Sequence, residues 1–450
     1  VYSDQAKSKG IEVLHLNIGQ PDIEAPKEAI NAVQNSNLNL LPYGSSQGSF
    51  SYRNKLSEYY RKNEIDVSPD EILITTGASE ALTFTLNSVC DSGDEIIIPE
   101  PFYANYNGFA SAANVKVVPV ISEFNSQFQL PSLENIDKKI NSKTKAILLC
   151  NPSNPTGYVY SKKEIITLCE LAIKHNIFIV VDEVYREFIY ADTKHYSVIQ
   201  YTRSVENSVM IDSVSKRYSL CGARVGCIVT KNKKLMKNLL KFAHLRLSPP
   251  TYATIASEAS LDAPDTYLKD VIKEYSKRRE VLIKSLRKIP EVKVSEPKGA
   301  FYCIVKLPVN DAEDFSKFLL TSFHDKNQTV MLAPASGFYS TPGIGKNEVR
   351  IAFILDCEKL IRAVKIIKLG LMAYKEIYTT NWMIEQNISL KNYNTFGIDT
   401  KTRYFSEISN EKDLIEKIKK CKKTPFRILG EGSNILLTKD YKGYTFIIKN

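Results

Sequence analysis

The segment Asp212-Ser213-Val214-Ser215-Lys216-Arg217-Tyr218-Ser219-Leu220-Cys221-Gly222-Ala223-Arg224 sets a lysine between small hydroxyl residues, with an arginine eight positions on. It follows a short apolar run, Val209-Met210-Ile211. That pattern suits a lysine that forms an imine with an aldehyde beside an anion. Lysine is a nucleophile near neutral pH only where desolvation or neighbouring positive charge disfavours its ammonium form. Taken alone, Lys216 reads as one more solvated surface group, as most lysines are.

The ends of the neighbouring strand-like runs change that weighing. Asp182 closes Phe178-Ile179-Val180-Val181 and offers a carboxylate that keeps a heterocyclic nitrogen protonated, although a strand-end aspartate also serves as a turn or helix cap. Tyr185, three residues later, can donate to a phenolate oxygen, a task Asn154 can share. Gly77-Ala78-Ser79 opens a helix whose amides suit a phosphate, Ser213 and Ser215 offer hydroxyls, and Arg224 offers a cation. Tyr103 follows two prolines and either stacks on a ring or simply packs. Arg350, inside Glu348-Val349-Arg350-Ile351-Ala352-Phe353, is a charge in an apolar run. It reads either as a bidentate partner for an α-carboxylate or as an outward-facing arginine. Together these are the parts that a pyridoxal phosphate imine and an amino-acid substrate need.

The elements that must carry these residues alternate as an α/β domain with a mostly parallel sheet requires. Strands are predicted at 72–75, 95–98, 146–150, 178–181, 209–211 and 224–230, with helices at 79–90, 103–112 and 162–175. The turn Asn151-Pro152-Ser153-Asn154-Pro155-Thr156-Gly157 follows the third strand. Continuous apolar strands are buried on both faces, so their polar ends face a crevice, where open α/β sheets bind ligands. From about Lys269 the pattern changes: a long polar helix to Lys288, strands at 301–307 and 348–354, and helices at 312–323 and 359–378. That reads as a smaller α+β domain. A second boundary falls at Tyr378-Thr379-Thr380-Asn381. Beyond it, Asn410 is placed to cap a helix to Cys421, and strands at 426–429 and 435–438 flank Gly430-Glu431-Gly432-Ser433-Asn434.

With 450 residues there is room for about three domains. A hydrophobic share of 43% with 24% charged residues excludes a disordered or fibrous chain. No apolar run approaches the roughly 18 residues of a membrane span, and Val1 to Gly10 carry no apolar signal core, so a cytoplasmic protein without a membrane partner is expected. The net charge of +10 is spread over the whole length, which argues against a nucleic-acid partner. The eight cysteines form no Cys-x-x-Cys pair and are read as reduced, buried thiols, and the five histidines are too scattered for a metal site. The chain starts at Val1 and stops directly after a strand-like run, which is consistent with a cut in a longer polypeptide.

Residues from about Glu12 to Tyr374 resemble the class I/II aminotransferases of the fold-type I pyridoxal phosphate enzymes, the aspartate aminotransferase group in particular. The resemblance rests on Leu16-Asn17-Ile18-Gly19-Gln20-Pro21-Asp22, Tyr43-Gly44, Thr76 to Ala81, Asn151 to Gly157, Asp182-Glu183-Val184-Tyr185, Ser213 to Arg224, and Arg350. It implies a large domain of about 40–265, with a mixed, mostly parallel sheet, and a small domain of about 1–39 and 266–378. It also implies that Lys216 is the Schiff-base lysine and proton shuttle, and Asp182 the pyridinium partner. Tyr185 and Asn154 would bind the ring oxygen, Tyr103 would stack, and Gly77, Ala78, Ser79, Ser213, Ser215 and Arg224 would hold the phosphate. Gly19, Asn154 and Arg350 would contact the substrate carboxylate. A homodimer is implied, in which Tyr43 reaches the neighbouring subunit's phosphate. The implied reaction is exchange of an amino group between an L-amino acid, aspartate by family, and a 2-oxo acid such as 2-oxoglutarate. No cation that would read a distal carboxylate is identifiable. A short N-terminus departs from the family's usual arm.

The last stretch, 379–450, is similar to the start of UDP-N-acetylenolpyruvoylglucosamine reductase, a flavoenzyme of cell-wall precursor synthesis. The match lies in Asn394-Thr395-Phe396-Gly397-Ile398 and Ile428-Leu429-Gly430-Glu431-Gly432-Ser433-Asn434-Ile435-Leu436. It implies a partial α+β FAD-binding domain in which Gly430, Glu431, Gly432, Ser433 and Asn434 approach the flavin pyrophosphate, and a truncated bifunctional fusion. Two other readings of the larger part stay open: another reaction of the same cofactor, such as C–S β-elimination, and a regulatory module that holds the cofactor without turnover.

Overall fold

The computed structural model describes residues 1–190, 193–380, 384–408, 410–421, 424–430, 432 and 435–448. They fall into two compact units, Val1–Ile367 and Lys368–Asn450.

The first unit is built on seven strands: β1 (Ile72–Thr75), β2 (Glu95–Glu100), β3 (Lys116–Ile121), β4 (Thr144–Cys150), β5 (Phe178–Asp182), β6 (Ser208–Ser213) and β7 (Gly226–Val229). Their order across the sheet is β1-β7-β6-β5-β4-β2-β3. Only β7 runs against its neighbours, β1 and β6. The β-branched runs explain the arrangement: every residue of β1, β2, β6 and β7 is buried, as strands covered on both faces require. Helices supply the cover. Lys162–His175 packs Ile165, Leu168, Cys169 and Ala172 into the same core as Ile147, Leu149, Ile179 and Val181. It starts on a Ser161/Glu164 capping box and ends on Asn176 in the left-handed region, caps worth about 1 kcal/mol each.

The register decides where the site lies. Cys150 pairs with Asp182, Asp182 with Ile211, and Ser213 with Gly226, which in turn pairs with Thr75. The carboxyl ends of β1, β4, β5 and β6 therefore lie in one row along a single edge. α1 (Phe50–Lys62) precedes β1, α2 (Gly77–Val89) leaves β1, and the four-residue α3 (Val214–Arg217) leaves β6, all at this edge or beneath it.

A second sheet of four strands has the order Ala333–Pro334, Glu348–Ala352, Tyr302–Lys306, Lys293–Val294, all antiparallel. Glu12–His15 pairs in parallel with Gln328–Met331. The expected long helices appear as Asp265–Leu286, Ala312–Thr321 and Cys357–Thr380. The mixed, mostly parallel sheet and the α+β part are as the sequence predicted. Cysteine burial is not: Cys150, Cys169, Cys227, Cys303 and Cys421 are buried, but Cys90, Cys221 and Cys357 are half-exposed. They sit at a helix end, in a cavity wall and at a helix start, where apolar neighbours in sequence do not close over the side chain.

The second unit holds four strands in the order Glu385–Ser389, Lys401–Ile408, Tyr441–Ile448, Phe426–Leu429, and the helix Glu411–Cys421. Asn410 caps that helix as expected, its Oδ1 accepting from the Asp413 N–H at 2.9 Å. The strand expected at 435–438 is absent: the described stretch is irregular. Phe426–Leu429 and Tyr441–Ile448 are parallel neighbours, and such neighbours need a crossover between them, which this stretch provides.

Candidate active site

The row of strand ends opens into a cavity of about 420 Å³. Its walls hold Gly19, Ala78, Ser79, Tyr103, Asn154, Asp182, Tyr185, Ser213, Ser215, Lys216, Arg224 and Arg350, residues drawn from more than 330 positions of sequence. Of the residues anticipated for the first unit, Gly77 and Tyr43 are not in the walls. Gly77 stands directly behind them: a Cβ there would meet Arg224 Nη2 at 2.5 Å, and its φ of +74° is one that only glycine adopts freely. Tyr43 is 81% exposed.

Lys216 lies in the helical turn that leaves β6, with Ser213 Oγ accepting from the Ser215 N–H at 3.1 Å as its cap. The lysine is half-buried; its Nζ donates to Gly19 O at 2.7 Å and lies 3.8 Å from Cys221 Sγ. Asp182 is 5% exposed, its Oδ2 accepting from Tyr106 Oη at 2.9 Å and its Oδ1 from the Val184 N–H at 3.3 Å. Burial pushes its carboxyl up to about 6, against the pull of those two donors. Tyr185 is buried with its hydroxyl 2.9 Å from that of Tyr302, and burial raises it well above the ordinary phenol range.

Arg350 settles the alternative left by its sequence. It is 7% exposed in a strand whose residues are all buried. Nη1 donates to Asn154 Oδ1 at 2.9 Å and Nη2 to Asn17 O, while Nε has no partner. The guanidinium lies over Tyr302 at 4.5 Å and Phe338 at 4.8 Å, a sandwich that holds the fork in one plane. A buried guanidinium in a cavity wall is a candidate partner for an anion.

At the opposite wall, α2 begins without a side-chain cap, so its first amides have no intrahelical or side-chain acceptor. Ser79 and Arg224 are exposed at its rim, and Ser213 Oγ and Ser215 Oγ lie 2.8 Å apart below it. Gly226 permits this closeness: a Cβ there would meet Gly77 C at 2.7 Å, Ala78 N at 2.8 Å and Asp212 O at 2.8 Å. All three are backbone atoms, so nothing can rotate away. Gly226→Ala is expected to cost about 1–3 kcal/mol, read as a lower thermal midpoint; an unchanged midpoint would show that the cradle is looser than this.

A family model described as aminotransferase class I and II matches residues 11–367. The chain belongs to the class I and II aminotransferases. An aspartate aminotransferase of Pyrococcus horikoshii is 31% identical over 374 residues, covering 82% of this chain and 93% of that protein. A (5-formylfuran-3-yl)methyl phosphate transaminase of Methanocaldococcus jannaschii is 31% identical over 370 residues, covering 81% and 93%. The crystal structure of an aspartate aminotransferase of Thermotoga maritima superposes with a TM-score of 0.75 at 30% identity, covering 82% of this chain and 95% of that one.

Pyridoxal phosphate is the cofactor expected of class I and II aminotransferases, and the residues present fit it. An uncapped helix start with hydroxyls and an arginine suits its phosphate. A carboxyl buried in the cavity wall, its charge penalised by desolvation, suits its ring nitrogen. An amine between the two suits its aldehyde. Sequence reasoning missed Tyr106 and Tyr302, which position Asp182 and Tyr185. Tyr106 lies one helical turn beyond Tyr103, and Tyr302 opens a strand that read only as structure. It also missed Asn17, although that residue stands inside a motif it used.

Proposed function

We propose that this aminotransferase moves the amino group of an L-amino acid, aspartate first among candidates, to a 2-oxo acid such as 2-oxoglutarate, with pyridoxal phosphate held through Lys216. The observation that carries the reading is the convergence of Lys216 Nζ, the buried Asp182 carboxyl and the buried Arg350 guanidinium on one cavity. When bound, the cofactor supplies an aldehyde that captures the amino group and a cationic ring that withdraws the electrons left on the α-carbon. Asp182 holds the proton on the ring nitrogen. Tyr185 and the Asn154 amide would donate to the ring oxygen, and Tyr103 would pack against the ring. Ser213, Ser215, Arg224 and the amides of Gly77, Ala78 and Ser79 bind the phosphate. Arg350, with Gly19 and Asn154, grips the substrate carboxylate and so fixes the α-carbon beside Lys216 Nζ, which takes the α-proton as general base.

Among the described wall residues the cations are Lys216, Arg224 and Arg350, and each has its task. A second carboxylate on the donor would need a cation from outside this chain, which favours, as a second reading, donors with a neutral side chain. A panel of amino donors with 2-oxoglutarate tests both. Aspartate turning over fastest supports the first reading and an aromatic or neutral donor the second. Release of a 2-oxo acid with ammonia and no amino transfer would replace both with β-elimination.

We also propose a homodimer. Leu40, Leu41 and Tyr43 are 76%, 54% and 81% exposed, and Leu245 is 82% exposed. A Cβ built on Gly44 would meet Ser248 Cβ at 3.7 Å, so the two segments are neighbours and together present an apolar patch of the kind that marks an interface. Sedimentation equilibrium showing a monomer at micromolar concentration would remove this proposal.

For the chain beyond 378 we propose a partial flavin-binding fold related to the reductase named above. Thr395 Oγ1 donates to Gly432 O at 3.0 Å, so the two segments that carry the resemblance meet. Gly432 has a φ of +67°, and a Cβ there would collide with Tyr393 O, so the chain's own packing already requires this glycine. Gly430 is described too, whereas Glu431, Ser433 and Asn434 lie outside the described residues. Purified protein is expected to carry little flavin, below about one-tenth per chain if the loop binds only with millimolar affinity; a stoichiometric yellow cofactor would show a complete site.

A further inference from the structure

Directly beneath the cavity lies a cluster of charges that the reaction does not touch. Asp212, 1% exposed, is the next-to-last residue of β6. Its Oδ2 accepts from Tyr60 Oη at 2.8 Å, from Arg186 Nη2 at 2.5 Å and from Arg217 Nη2, and its Oδ1 accepts from the Ser213 N–H at 2.8 Å. Both arginines are as deeply buried, with side chains 4% and 2% exposed. Arg217 also lies 4.4 Å from the Tyr59 ring and Arg186 4.9 Å from the Tyr60 ring, so α1 closes the cluster from below. Glu187 approaches the Nε of each arginine, at 3.9 Å for Arg186 and 3.7 Å for Arg217, and Glu183 comes within 3.9 Å of Arg186 Nη1.

Stability alone does not call for such a cluster. Desolvating two guanidiniums and a carboxylate costs several kcal/mol per ion, and well-packed apolar residues often serve as well. Its placement suggests another use. Arg217 follows Lys216, and Arg186 follows Tyr185. Each arginine turns down into the cluster while its neighbour lines the cavity. One carboxylate thereby ties the turn that carries the amine to the turn that carries the phenol, although 31 residues of chain separate them.

We propose that Asp212 is a positioning residue for transamination: by gripping Arg217 and Arg186 it fixes the Lys216 and Tyr185 turns relative to each other. Electrostatics agree with this geometry. Burial acts to raise Asp212, but Arg186 and Arg217 outweigh it and hold its carboxyl below the ordinary range, so the grip is ionic. Its charge also adds, after burial, to the forces that raise Asp182.

This inference rests on the role proposed for Lys216, and the test separates the two. Wild-type protein loaded with pyridoxal phosphate is first reduced with borohydride and mapped; label away from Lys216 sinks the proposed function itself. The bound cofactor's absorption is then titrated with pH in wild type, Asp212→Asn and Arg217→Met. Removing the negative charge disfavours protonation at the lysine nitrogen and is expected to lower the midpoint by about half a unit or more, and removing a positive charge to raise it. With the best donor of the panel, Asp212→Asn is expected to lower kcat about a hundredfold, more than it raises KM. Leu168→Ala, a fully buried change in the helix Lys162–His175, is the control for lost stability and should move the melting point alone. Midpoints that do not move, or move in the same direction, together with a kcat like that of the control, would overturn the proposal. Should Asp212→Asn fail to fold, Tyr60→Phe and Arg217→Lys keep the ring and the charge respectively. Each is then expected to lower kcat about tenfold with KM within about twofold, and wild-type kcat in both would overturn the proposal equally.

Discussion

Lys216→Ala protein is expected to fold, to retain pyridoxal phosphate only by non-covalent contacts, and to transfer amino groups at least about a thousandfold more slowly. The lysine is half-buried, and its amine makes one short hydrogen bond, to Gly19 O, so trimming it costs the fold little. What disappears is the amine beside the carbon that loses its proton. Cys221 Sγ, 3.8 Å away, donates to Ser215 O and is not placed to substitute. Single-turnover kinetics with the preferred donor measure the loss, and a rate near that of wild type would remove Lys216 from the reaction.

The second large effect has opposite signs with and without the cofactor. Asp182 ionises at about 6 in the folded chain against an ordinary 3.8, because burial penalises its charge. The folded state therefore binds this proton more tightly than the unfolded chain does. That contribution to stability is complete below about pH 4 and is lost as pH rises through about 6. A difference of that size corresponds to about 3 kcal/mol. Asp182→Asn keeps an oxygen for Tyr106 and carries no charge, so the cofactor-free variant is expected to melt higher than cofactor-free wild type at pH 8, the gap closing by pH 4. The loaded proteins should rank the other way. Without the carboxylate the ring nitrogen loses a charged partner, and affinity for pyridoxal phosphate should fall roughly ten- to a hundredfold. Melting curves from pH 4 to 8 and a cofactor titration measure both. An Asn variant that melts lower at every pH, or unchanged kinetics, would refute the pyridinium role.

Both predictions turn on groups whose burial in the cavity wall is costly. Asp182 is buried with its carboxyl pushed up, Arg350 Nε has no hydrogen-bond partner among the described residues, and α2 begins without a side-chain cap. The core beneath them is continuous across the sheet, from Ile74 in β1 to Val120 in β3.

The residues proposed to do chemistry were legible as candidates in sequence because each stands at a break in an apolar run. Asp182 ends Phe178 to Val181, Lys216 follows Val209 to Ile211, and Arg350 interrupts a strand. Breaks of that kind are costly in a core, so their presence marks function. Strand order was not legible, since apolar runs of similar length carry no information about which neighbour each will pair with. Nor was the antiparallel direction of β7.

By itself the amino-acid sequence determined the alternation of elements, the membership in a family and the choice of candidate reacting groups, because local periodicity and motif chemistry are properties of adjacent residues. Only the tertiary structure decided that Arg350 faces inward between two aromatic rings, that Tyr106 and Tyr302 support Asp182 and Tyr185, and that Asp212 clamps two arginines under the lysine. The hydrogen bonds of Tyr106, Tyr302 and Tyr60 join residues 76 to 152 positions apart, and no short-range pattern encodes a bond whose partners meet only when the sheet is assembled.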